Sequence, residues 1–173
     1  MKYLLLLVIS AVLLTNCSTT ENATQQSDSV PDAPPVEEAD RFHPEWYNGA
    51  VKSESDSLHF VGYAHAVDDT EAKAMELAKN SAKANLIFEV DRFAENVRVN
   101  LAEQQGQSSY AAPQYIVNLR NAVQNLDLSE ADIQHEVKTK EGLQHVFIQM
   151  KISRNNISEQ LSDYISESEF ATL

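Results

Sequence analysis

A long stretch without glycine or proline, residues 63–105, separates Gly62 from Gly106. Within it, apolar residues recur at steps of three and four, which is the period of an α-helix packed along one side. The pattern predicts a single helix over residues 69–105. Its apolar stripe comprises Met75, Ala78, Ala82, Leu86, Val90, Phe93, Val97 and Leu101.

A helix of that length exceeds what a compact domain can cover. At 1.5 Å per residue it would extend roughly 55 Å, whereas a domain of this size has a radius of gyration of about 14 Å. Either the helix kinks near residues 96–100, or its protruding part contacts a second molecule. Leu77, Ala84 and Phe88 form a weaker apolar line on another side of the helix, and Leu77 and Phe88 are therefore candidate interface residues.

A short strand precedes this helix, over residues 57–66. Alternation along a strand places Phe60, Gly62, Ala64 and Ala66 on one face. Because glycine and alanine add almost no bulk, another element must approach that face closely. The first half of the helical stripe is mostly alanine, so we predict that it lies there.

The remaining elements follow from shorter patterns. Residues 116–126 carry the spacing of a second helix, and residues 157–165 that of a third, with Asn156 as its N-cap. Residues 133–140 and 143–152 alternate around Glu141 and Gly142, which predicts a hairpin with a two-residue turn. The order β-α-α-β-β-α indicates an α+β fold, a three-stranded antiparallel sheet with a long helix and a C-terminal helix packed on one face.

The first 40 residues have the composition of an export signal followed by a tether. Lys2, an apolar run and Cys17, the single cysteine of the chain, form the layout of a lipoprotein signal peptide over residues 1–16. We expect Cys17 to carry the lipid. Residues 17–40 contain prolines and acids and no Lys or Arg, which predicts a disordered tether. We assign residues 41–168 to the folded domain and 169–173 to a tail.

Charge narrows the class of partner. The chain has 13 Lys+Arg against 26 Asp+Glu, and loss of residues 1–16 removes only Lys2, leaving 12 against 26 and a net charge of −14. Such acidity disfavours nucleic acid, whose binding depends on neutralising phosphates. Membrane contact is expected through the lipid on Cys17 rather than through the polypeptide.

No motif for nucleophilic, metal-dependent or phosphate-binding chemistry occurs in residues 41–168, so we expect neither an enzyme nor a cofactor. Trp46, the single tryptophan, suits an aromatic lid at the edge of the core or, alternatively, a ligand-stacking residue. The polar face of the hairpin carries Phe147, an interaction candidate. His59, His65 and His145 could share that face with Glu136 as weak candidates for a metal site, whereas His135 falls on the apolar face as a core histidine.

Several of these segments together resemble the LPP-twenty family of bacterial lipoproteins. The features that carry the resemblance are Cys17, Pro44-Glu45-Trp46-Tyr47, Phe60-Val61-Gly62-Tyr63-Ala64 and the alanine-spaced helix through Ser81-Ala82-Lys83-Ala84-Asn85-Leu86. Lys83 stands where the family usually has arginine. The resemblance implies a β-α-β-β core, an outer-membrane lipoprotein and no known enzyme activity; relatives include flagellar basal-disc lipoproteins that assemble into rings.

Together these features predict a lipid-anchored, non-enzymatic lipoprotein of the outer membrane, facing the periplasm or the cell surface. It would act as a structural, assembly or protein-interaction module, as a homo-oligomer or with an envelope protein. The alternative is a periplasmic or surface protein that binds a ligand or metal on the polar sheet face.

Overall fold

The computed structural model describes residues 42–104 and 108–165. Cys17, the tether and the tail at 169–173 lie outside the described residues. Within these two ranges the fold is α+β, with three α-helices, a 3-10 turn at Ser108–Ala111 and one antiparallel sheet. In chain order the elements are β1 (Ser53–Ser55), β2 (His59–Asp68), α1 (Glu71–Gln104), α2 (Pro113–Gln124), β3 (Asp132–Lys140), β4 (Leu143–Ser153) and α3 (Arg154–Leu161).

The sheet has four strands in the order β1-β2-β4-β3, so the prediction of three strands was wrong. The additional strand, β1, pairs with β2 and is only three residues long. Its hydroxyls are held by a helix: Ser55 donates to Glu89 Oε1 at 2.8 Å and Ser53 to Oε2 at 3.2 Å. The strand therefore depends on a polar contact from α1, which its own short polar sequence does not reveal.

The close approach of α1 to β2 is confirmed at Gly62. A Cβ atom at this position would lie 2.3 Å from the backbone oxygen of Ala82 and 2.6 Å from the backbone nitrogen of Leu86. Asn85 fixes the same contact, because its side-chain amide donates to the Tyr63 carbonyl at 2.7 Å. The alanine half of the helix thus lies directly on the small-residue face of the strand.

Helix α1 runs for 34 residues without interruption. The helix does not break near residues 96–100, since the backbone stays α-helical throughout that segment. The sheet-facing stripe is buried along the whole helix, from Ala74 to Leu101. A helix of this length extends about 51 Å at 1.5 Å per residue.

The hairpin forms with the predicted turn, but β3 is less covered than expected. Lys140 pairs with Leu143 across Glu141 and Gly142, which have φ angles of 54° and 80°. Helix α1 packs on β2 and β4, and β3 lies at the edge of the sheet. His135 is consequently exposed, and its assignment as a core histidine was wrong.

The remaining helices close the same core. Leu119 and Val123 of α2 and Ile157 and Leu161 of α3 are buried with the stripe of α1. Helix α3 begins after Ser153, whose hydroxyl accepts from the Asn156 amide at 3.2 Å. The predicted cap at Asn156 was therefore three residues too late.

Candidate interaction surfaces

Residues 42–47 cover part of the outer sheet face, which is the face opposite α1. The backbone turns here, with the Tyr47 amide donating to the Pro44 carbonyl at 3.0 Å, and Pro44 is buried. The turn directs Phe42, His43 and Tyr47 onto the sheet. With His65, His145 and Phe147 from the strands, these three side chains form what we call the histidine–aromatic cluster.

Phe147 lies at the centre of the cluster and is completely buried, with 0% exposure. The prediction that it offers an exposed interaction surface was wrong. Its ring stacks on His65 with centroids 4.3 Å apart, and it makes edge-type contacts with Tyr47 and His43 at centroid distances of 5.1 and 5.5 Å. Phe147 therefore binds the chain's own N-terminal segment, and part of the polar face becomes a second, small core.

Trp46 lies at the margin of the cluster. It is half-buried, and its ring meets Tyr47 edge-on at 6.1 Å. An aromatic lid does form, but Phe42, His43 and Tyr47 make the contacts with the cluster. The lid covers the outer sheet face rather than the edge of the helix-side core.

Strand register brings two of the three candidate histidines together. His65 pairs with Phe147 and Val67 with His145, so the two histidines lie diagonally on one face. His65 Nε2 is 3.1 Å from His145 Nδ1, and the rings are stacked with centroids 5.2 Å apart. In this hydrogen bond one nitrogen donates and the other accepts, so one of the two contacting nitrogens carries no proton.

His59 and Glu136 do not join that pair. His59 pairs with Ser153 at the far end of β2, and its Nδ1 is 3.6 Å from Asp56 Oδ1. Glu136 is engaged by Lys138 at 3.2 Å. In the described part of the chain, no three His, Cys, Asp or Glu side chains gather closely enough to hold a metal ion.

Burial makes the cluster sensitive to protonation. Desolvation lowers the pKa of His65 below its ordinary value, and the neighbouring His145 and then His43 lower it further. The unfolded chain therefore takes up a proton at this position at a higher pH than the folded domain does. The contribution of neutral His65 to the free energy of unfolding should be present above about pH 6.5, the ordinary pKa of histidine. This contribution should be lost as the pH falls below that value.

We expect His65→Phe to flatten this pH dependence while keeping the stack on Phe147. Between pH 7.5 and pH 5 the natural chain should lose at most about 1 kcal/mol through His65, because solvent reaches the half-buried ring and screens its charge. Urea unfolding at a series of pH values measures the slope. The exposed His135→Gln is the matched control and should keep the natural slope; an unchanged slope in His65→Phe would contradict the assignment.

The second surface is the outer helix face, the side of α1 turned away from the sheet, which carries Leu77, Ala84 and Phe88. Phe88 is 62% exposed and Leu77 49% exposed, so no other element of the described residues covers the second apolar line. A groove of about 440 Å³ runs beside Phe88, with Lys83, Asp91 and Ala84 in its wall and Gln124 of α2 at its margin. Leu77 and Phe88, whose residue types are usually buried, thus remain exposed on the outer helix face of α1.

Glu89 and Phe42 are structural residues that the sequence patterns do not indicate. Burial alone raises the pKa of Glu89, but hydrogen bonds from Arg92 and Ser55 outweigh it and hold that pKa below its ordinary value. Glu89 directly precedes Val90 of the stripe and is 1% exposed; a carboxylate buried to that extent must be paired. Phe42 precedes the Pro-Glu-Trp-Tyr segment and offers no periodicity to read.

Comparison with protein-family models, curated proteins and solved structures finds no match to this chain. The resemblance to the LPP-twenty family therefore stays a prediction based on the motifs named above. Across residues 42–104 and 108–165, no helix combines the length and apolar character needed to cross a bilayer. Cys17, the expected lipid attachment site, lies outside the described residues.

Proposed function

We propose that this protein is a lipid-anchored, non-enzymatic lipoprotein of the outer membrane that serves as a protein-interaction module in envelope assembly. The observation that carries the proposal is the exposure of Leu77 and Phe88 on the outer helix face. Exposed apolar side chains on one helix face, with a groove beside one of them, are typical of surfaces that bind another protein. The docking element is α1.

The fixed position of α1 supports this role. Gly62 lets the helix backbone lie on β2, Asn85 bonds the strand carbonyl, and Glu89 bonds β1. A helix held along its length by such contacts presents its outer face in one conformation. Binding then costs little ordering entropy at the interface.

The outer sheet face is a poorer candidate for binding. Phe147 is buried there by Phe42, His43 and Tyr47, so a ligand at the histidine pair would have to displace those rings. The alternative of ligand or metal binding on this face carries that cost, whereas the outer helix face needs no rearrangement.

Photo-crosslinking on the full chain in its native membranes tests the proposal. A photoreactive phenylalanine at position 88 or 77 should give a discrete protein adduct, because the side chain there would face the partner. Leu143, an exposed apolar residue at the hairpin turn with 43% exposure, is the matched control position. Failure to obtain an adduct at position 88, or equal yield at position 143, would refute α1 as the docking element.

The anchor is tested separately at Cys17. A lipid bound through this residue would hold the domain at the membrane, since burial of acyl chains contributes about 0.8 kcal/mol per methylene. Cys17→Ser should abolish incorporation of a labelled fatty acid and move the protein from the membrane fraction to the soluble fraction. Ser18→Ala is the neighbouring control and should leave both unchanged; a Cys17→Ser chain that stays labelled or membrane-bound would refute the anchor.

A further inference from the structure

We infer that the occupant of the groove beside Phe88 is a second copy of this chain, packed antiparallel across α1 about a two-fold axis near Ile87. The inference rests on the proposed function and deepens it by naming the partner. It is carried by the charge pattern on both sides of Ile87 and by the apolar side chains that line the groove. Each is a property of residues in the described part of the molecule.

The charges are self-complementary about Ile87. Lys83 lies four residues before it and Asp91 four residues after it, and both line the groove. A two-fold axis at Ile87 perpendicular to the helix places position 83 of each copy level with position 91 of the other copy. Each Lys83 would then face Asp91 of the partner subunit, giving two identical ion pairs, as an isologous interface requires.

Lys83 and Asp91 are available for such pairs. Ion pairs found along the described part of α1 join Lys73 to Asp68 and Asp69, Arg92 to Glu89 and Arg98 to Glu95. Within the described residues, neither Lys83 nor Asp91 lies at ion-pairing distance from an opposite charge. Lys83 does attract Asp127, whose pKa is lowered first by hydrogen bonds from Ser129 and further by Lys83. The groove therefore presents one charge of each sign without a salt bridge at positions symmetric about Ile87.

The apolar side chains are centred one residue away from Ile87, because the midpoint of Ala84 and Phe88 is position 86. Ala84 and Phe88 are one helical turn apart, and both lie in the wall of the groove. In the antiparallel arrangement the ring of each Phe88 approaches Ala84 of the partner subunit, where the small side chain leaves room for it. A large residue entering the space above a small one, twice, is the packing found between antiparallel helices.

Overall charge determines how strong the contact can be. Two acidic domains repel each other, so the pairs at Lys83 and Asp91 would fix register and orientation rather than supply most of the affinity. A contact limited to one helix pair is small for a protein interface. The expected dimer is consequently reversible in solution, and confinement of the anchored chains to a membrane surface would raise their effective concentration.

Charge exchange tests the register. With the full chain in density-matched detergent, sedimentation velocity should show a monomer–dimer equilibrium. Lys83→Glu and Asp91→Lys should each weaken it by about tenfold, since two attractions become two repulsions, and the double variant should recover to within about threefold. Phe88→Ser should abolish the dimer. Lys79→Glu, an exposed control on the same helix, should leave dimerisation within about threefold of the natural chain.

Cysteine pairing tests the direction of packing. Chains carrying Lys83→Cys mixed with chains carrying Asp91→Cys should form a disulfide-linked dimer on mild oxidation, and neither variant alone should do so. Crosslinks within Lys83→Cys alone, or a double charge variant as weak as the single ones, would overturn the antiparallel arrangement. A strictly monomeric chain would also overturn the antiparallel dimer. An adduct at position 88 to a protein other than this chain would overturn the dimer but leave the proposed function intact. Loss of every adduct at position 88 would refute both the dimer and the proposed function.

Discussion

Gly62→Ala is expected to destabilise the domain by about 3 kcal/mol or more, at or above the upper end of the usual cost of overpacking a core. The new Cβ would lie 2.3 Å from the backbone oxygen of Ala82 and 2.6 Å from the backbone nitrogen of Leu86. These atoms belong to the middle of α1 and cannot rotate away as a side chain can. Relief requires the helix to move off β2, which breaks the Asn85 bond to the strand as well.

Urea unfolding monitored by circular dichroism measures this loss. Gly49→Ala is the matched control, because a Cβ there meets only the Tyr47 ring at 3.7 Å, an ordinary contact distance. That variant should keep its stability or gain up to about 1 kcal/mol from reduced freedom of the unfolded chain. A Gly62→Ala loss below about 1 kcal/mol would show that α1 does not depend on this contact.

Phe147→Ala is expected to cost about 3–5 kcal/mol, the usual range for a buried phenylalanine. The ring is completely buried and touches His65, Tyr47, His43 and Phe42. Its removal leaves residues 42–47 without the surface on which they pack. The segment should therefore detach from the sheet before the rest of the domain unfolds.

Trp46 reports on this detachment, since it is the single tryptophan and borders the cluster through Tyr47. In Phe147→Ala its fluorescence should shift toward that of a solvent-exposed indole at urea concentrations where the helical signal is intact. Phe88→Ala, measured at low protein concentration, is the matched control and should change stability by less than about 0.5 kcal/mol because its ring is exposed. A single transition for both signals in Phe147→Ala would contradict separate release of the segment.

Sequence patterns predicted the elements whose signals are local. The stripe from Met75 to Leu101 defined α1, the residues Glu141 and Gly142 defined the hairpin turn, and the glycine at position 62 indicated a close neighbour. In each case the residues themselves show the physical requirement, either through their periodicity or through a small side chain. The exposed line through Leu77 and Phe88 was readable for the same reason.

The other features depend on which surface is covered, and alternation along a strand does not contain that information. Phe147 and His145 both lie on the outer sheet face, as predicted, yet whether that face meets solvent depends on residues 42–47, far away in sequence. His135 lies on the helix side, but α1 does not extend over the edge strand β3. The pairing of His65 with His145, and the separation of His59 from both, required the register of β2 against β4.

That same register has a consequence for how the chain reaches its folded state. Strand β2 pairs with the short β1 on one side and with β4 along its full length on the other, with Phe60 opposite Ile152 and Ala64 opposite Ile148. Until residues 143–153 are available, α1 has only half a sheet to lie on. Contacts so distant along the chain make folding slow relative to helix formation, so a polypeptide that emerges from its N-terminus cannot complete this sheet until residues 143–153 have followed.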